Sequence, residues 1–170
     1  GAFDYGQGWR SGLAVNEAAR TGARVGSARG TERDADYYAL SGAKAALASS
    51  GKLEGVQRVV IFRGTGVSSK PPQTCLDATP SGPCHVFTGD GFRDDWESAA
   101  YDEATTANGC LEDAVLKNWC PTDRNGVQLS ADYVGVHIVY RHEYFFPVLG
   151  DGTDVARTAV MRIEPKIEDH

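Results

Sequence analysis

Long apolar runs are missing from this sequence: nowhere do eighteen consecutive apolar residues occur, and no basic stretch leads into a short apolar one near residue 1. As it stands, the chain is expected neither to span a membrane nor to carry a signal peptide. Signatures of catalysis are equally scarce. No GxSxG turn offers a strained serine, and Gly64-Thr65-Gly66 is followed by no GK[ST], which removes a phosphate loop. No CxxC spacing occurs, so the cysteines form neither a redox pair nor a zinc knuckle. Excess basic charge is also lacking. A net charge of -6 and a pI near 5.2 exclude a broad electrostatic grip on nucleic acid or anionic lipid.

What is present suits one globular domain of 170 residues, long enough to bury a core without metals. Residues 90–113 hold eight acids (Asp90, Asp94, Asp95, Glu97, Asp102, Glu103, Glu112, Asp113) against Arg93 alone. This run reads as a solvated face. A calcium site is the alternative, but neither residues 89–97 nor Asp123-Arg124-Asn125-Gly126 completes the alternating pattern that ends in a glutamate. Four cysteines, Cys75, Cys84, Cys110 and Cys120, read as two disulfides. Of three connectivities, the local one, Cys75 with Cys84 and Cys110 with Cys120, staples two loops and contributes roughly 2 to 3 kcal/mol for each. Persistent disulfides imply an oxidising compartment and export, whereas four reduced thiols would suit the cytosol.

On a helical wheel, residues 10–26 gather Ser11, Gly12, Ala14, Val15, Ala18, Ala19, Gly22, Ala23, Val25 and Gly26 into one half, with Leu13 the misfit. A stripe through Ala14, Ala18, Gly22 and Gly26 lets the helix approach its neighbour closely. Upstream, Phe3, Tyr5, Trp9 and Arg10 surround the helix. Two readings stand side by side: an aromatic collar where a helix leaves a bilayer, and end residues packed on nearby loops. With no N-cap before Phe3, the chain opens in mid-helix, and residues 1–29 are expected to continue from a membrane stem upstream. A second helix starts after residues 31–34, with Asp34 as its cap and Tyr37, Leu40, Ala43 and Leu47 on its buried face, and stops at Gly51.

Residues 56–63 are rich in β-branched side chains and predict a strand. From 64 to about 130, Gly, Pro and Thr break every pattern, apart from a short strand at 84–88 and helical turns at 96–104 and 111–119. Order returns at 132–146, where Val134, Val136, Ile138 and Tyr140 alternate with Tyr133, His137 and Arg141. Pro147, Gly150 and Gly152 make a turn, 155–164 returns, and Pro165 closes it. The expected class is α+β: two helices on an antiparallel sheet, with disulfide-stapled loops. His137 and His142 fall on opposite faces of their strand, His85 follows a cysteine in a loop, and His170 ends the chain. No catalytic, cofactor-binding or metal-ligating residue is assigned.

These residues resemble a known family. Phe3-Asp4-Tyr5-Gly6, followed by residues 13–27 with their Glu17-Ala18-Ala19-Arg20-Thr21-Gly22-Ala23-Arg24 core, is similar to the segment after the membrane helix of TadE-like and TadG-like pilus-assembly proteins. Asp132-Tyr133-Val134-Gly135-Val136 and residues 159–165 resemble the closing hairpin of actinobacterial members, and residues 84–89 their cysteine-bearing middle. The ends carry the resemblance, and residues 71–129 match more loosely. It implies a pilin-like fold and a pseudopilin or minor pilin of a tight-adherence (Flp-type) type IV pilus, with pilus subunits and assembly proteins as partners. A single-pass helix would hold the domain on the extracytoplasmic side of a bacterial envelope. The domain without its stem is expected to be monomeric. The other classes kept open are an extracellular ligand-binding or adhesin module and an exported hydrolase.

Overall fold

Small residues three and four apart determine how the first helix is used. The computed structural model describes residues 2–127, 130–143 and 152–164, with backbone alone for 2–10, 143 and 152. Helix α1 runs over Ala2–Arg29 and α2 over Ala35–Ser49. Val15, Ala18, Ala19, Gly22, Ala23 and Gly26 of α1 are buried while Leu13 is half out in solvent. Ala14 and Val25 are only half-buried, so the packing face is narrower than the wheel suggests. The reason is that α2 stops at Ser49, leaving Ala14 on an open groove bordered by Leu13, Glu17, Ser50 and Lys52. Val25 lies on the seam beside Gly42 of α2.

Asp34 stands at the N-cap of α2, yet its carboxylate caps no backbone N–H. Its φ of -86° and ψ of 3° lie away from the extended region that swings a capping side chain over the first turn, and Arg29 takes the carboxylate at 3.0 Å instead. Gly51 ends the helix as expected. With φ at +68°, it lets Lys52 N–H reach Leu47 O at 2.9 Å, the bond that satisfies a terminal carbonyl.

Five strands follow: β1 Val56–Gly64, β2 Cys84–Thr88, β3 Leu116–Lys117, β4 Tyr133–Glu143 and β5 Gly152–Arg162. They form one antiparallel sheet in the order β3-β2-β1-β4-β5. The expected positions 144–146, Pro147, Gly150, Pro165 and His170 lie outside the described residues. The main core is sealed between the helices and the inner sheet face, where Val59, Ile61, Phe87, Val136 and Ile138 meet Val15, Ala19, Leu40 and Leu47. β1 is buried on its other face too. There Val60, Phe62, Val86 and Val160 pack with Cys75 and Cys84 under the chain that follows β1, which explains the unbroken apolar run Val59-Val60-Ile61-Phe62. Opposite Phe62, Gly135 leaves the ring its place: a Cβ there would fall 2.2 Å from it.

The connecting region departs from expectation at 111–119, which is extended rather than helical. Leu111 bridges Thr105, and β3 adds to the edge of β2. The bonds Val115 N–H to Val86 O at 2.8 Å and Asn118 N–H to Cys84 O at 3.0 Å draw the segment out along that edge. Three short helices, α3 Gln73–Leu76, α4 Gly89–Arg93 and α5 Tyr101–Ala104, fill the rest. α4 has a side-chain cap, with Thr88 Oγ1 accepting from Gly91 N–H at 3.0 Å.

Candidate functional site

The densest chemistry in the described residues is a charged cluster without access to solvent. Asp36 enters it from the first turn of α2, on the same stripe as Leu40 and Ala43. His85 enters from the inner face of β2, and Arg124 from just after the 3-10 turn Pro121–Asp123. Arg124 donates to both carboxylate oxygens of Asp36, Nη1 to Oδ1 at 2.6 Å and Nη2 to Oδ2 at 2.7 Å. His85 Nδ1 lies 2.7 Å from Oδ2, and Leu111 N–H donates to its Nε2 at 3.1 Å. Because Nε2 accepts, the proton sits on Nδ1 and points to Asp36. Trp119 lies under the guanidinium, 4.2 Å from its ring centre to Arg124 Cζ.

Burial alone would push the Asp36 carboxyl up, but the Arg124 charge and the bonds from His85 and Arg124 outweigh it and hold the group at about 2, against 3.8 ordinarily. An aspartate and a histidine in contact suggest acid–base work. Here, however, the far nitrogen of the histidine is committed to a main-chain donor, and the side chains of Asp36, His85 and Arg124 are fully buried. The arrangement fastens α2, β2 and the second stapled loop to one another.

His85, singled out only as the neighbour of a cysteine, is thus a core residue of β2, the short strand expected at 84–88. In the sequence Arg124 belongs only to a fragment of a calcium loop, and no motif marks Asp36. One signal was available: a lone acid on an otherwise apolar helical stripe needs a buried partner.

The remaining expected residues separate. Cys75 is bonded to Cys84, and Cys110 to Cys120. His142 faces the helices, 3.4 Å from Ser11 Oγ, while His137 faces outward, 2.7 Å from Thr158 Oγ1, and burial pushes it below the ordinary histidine range. The acidic run disperses. Glu97 pairs with Lys44 at 2.6 Å, Asp102 with Arg33, and Asp90 with Arg93. Among the described residues, no group of three or more His, Cys, Asp or Glu side chains is placed to hold a metal.

Gly22 and Gly26 meet β4 through Val136 and Val134, each 3.5 Å from where a Cβ would stand. With Ser11 beside His142, these contacts run α1 antiparallel to β4. The side chains of Phe3, Tyr5, Trp9 and Arg10 lie outside the described residues, and no described helix is long and apolar enough to cross a membrane. In comparisons with protein-family models, curated proteins and solved structures, nothing matches this chain.

Proposed function

We propose that this is the extracytoplasmic, pilin-like domain of a minor pilin or assembly factor of a bacterial tight-adherence pilus, acting in pilus biogenesis and surface adhesion as a structural protein. The observation that carries the reading is the use of α1. Its residues from Ser11 onward lie along β4 through small side chains, and its backbone continues nine residues upstream, about 14 Å at helical rise. A helix that lies along a sheet through small side chains and runs on upstream suits a stem that passes from lipid to contacts with neighbouring stems. Two disulfides suit the oxidising side of the membrane.

The test uses the product of the natural gene. It should fractionate with the membrane and co-purify with pilus subunits, and deleting the gene should reduce piliation and adhesion. Free secretion, or intact pili after deletion, would overturn the reading in favour of a ligand-binding or adhesin module.

A further inference from the structure

The two ends of the sheet are not alike. β3, at one end, has two residues, whereas β5, at the other, has eleven, and no described strand lies against its outer edge. A strand at a sheet edge carries a row of N–H and C=O groups directed away from the sheet, a template for a further strand unless charge, proline or a bulge spoils it. β5 holds no proline, and its pairing with β4 runs without a register shift from Tyr133↔Arg162 to Glu143↔Gly152. Its charges, Asp154, Arg157 and Arg162, are of both signs, and Arg157 Nη1 donates to Ala156 O at 2.8 Å, a bond that a further strand would have to replace.

We propose that this edge pairs with β5 of a second copy, antiparallel, across a two-fold axis at Thr158. The argument is one of register. On one strand the outward-pointing backbone groups belong to alternate residues, so an antiparallel self-pair can only join residues of like parity. That leaves a few registers to compare. Centred on Arg157, the pairing sets that arginine against its own copy and Asp154 against Val160. Centred on Ala159, it sets Asp154 against Glu164. Centred on Thr158, it sets Asp154 against Arg162, Ala156 against Val160 and Thr158 against itself, and Arg157 meets Ala159. Of these three, only the last brings opposite charges together twice and no like charges face to face, the condition under which cross-strand pairs stabilise.

The outer sheet face agrees with this. His137 and Thr158, Val139 and Ala156, and Arg141 and Asp154 are cross-strand neighbours there, so Arg162 of the second copy would add a second guanidinium beside Asp154. The joined sheet would have ten strands. This pairing stands independently of the pilus reading, and it replaces the expectation of a monomeric domain.

Sedimentation velocity over a concentration series tests it. The 18.2 kDa chain should reach twice its mass as concentration rises. Asp154→Arg should weaken dimerisation about tenfold, and Asp154→Arg combined with Arg162→Asp should restore it. Thr158→Cys should give disulfide-linked dimers on mild oxidation, while Thr153→Cys, which would face Ile163, should not. A single mass of one chain at every concentration would overturn the proposal. So would a dimer indifferent to Asp154→Arg, or linkage through position 153 as readily as through 158.

Discussion

The frame of α1, α2, β4 and β5 and the long connection between β1 and β4 solve the same problem by different means. In the frame, backbone groups satisfy one another through helix and ladder, and side chains mainly fill volume. In the connection, regular structure is short, and long basic side chains reach across to main-chain carbonyls. Arg33 donates to Thr105 O and Thr106 O, Lys44 to Arg93 O and Asp94 O, Arg93 to Val56 O, and Arg58 to Cys75 O and Asp77 O. A buried carbonyl without a partner costs about as much as a lost hydrogen bond. Where the connection lacks a ladder, arginine and lysine stand in for one. Frame and connection should therefore fail separately.

The largest effect is expected from Asp36→Ala, which strands Arg124 in the core. Urea denaturation should show a loss of about 3 to 5 kcal/mol, and hydrogen exchange should rise first around residues 106–124, before α1 and β4. Replacing both Cys110 and Cys120 by serine should cost roughly 2 to 3 kcal/mol, with exchange again confined to that loop. Equal loss of protection across β4 and β5 in either variant would merge the two regions into one unit.

Acid acts on the same junction. Because Asp36 is held at about 2 in the fold, the unfolded chain binds more protons than the folded one once pH falls below about 4. The contribution of Asp36, about 2 kcal/mol, is present at neutral pH and disappears as pH falls from about 4 through about 2. Asp36→Asn should flatten the acid limb of a stability–pH curve. An unchanged limb would place the acid sensitivity elsewhere.

The smallest effect belongs to the frame. A methyl at Gly22 would sit at ordinary contact distance, 3.5 Å from Ala39 O and the Val136 methyls. Gly22→Ala should therefore stabilise α1 by about 0.5 to 1 kcal/mol, seen as a raised Tm, while Gly22→Leu should destabilise by overpacking. A loss with alanine would show that the fit at Gly22 is tighter than the contacts indicate.

The frame was legible in the sequence because burial on one face imprints a period, 3.6 on Val15, Ala18, Ala19 and Gly22, and two on Val134, Val136 and Ile138. The disulfides were legible because each closes a short loop. The charged cluster was not, because its members come from separate elements: Asp36 finds His85 49 positions away and Arg124 88 positions away. No local pattern links them. Nor does periodicity reveal a segment such as 111–119, whose extension is imposed by the edge of β2.

β1 lies between two partners that reach it at different times. Its pairs with β2 lie 22 to 30 positions ahead, but Val59 meets Ile138, 79 positions on. The two disulfides span nine and ten positions and can close while the chain is still emerging. The central strand waits with one edge open until β4 arrives, since contacts this distant are slow to form. During that interval Val59-Val60-Ile61-Phe62 is an uncovered apolar β segment, the part of the nascent chain a chaperone would hold. Refolding yield should fall as protein concentration rises, even with both disulfides intact. A yield independent of concentration would show that β1 is sheltered before its last neighbour arrives.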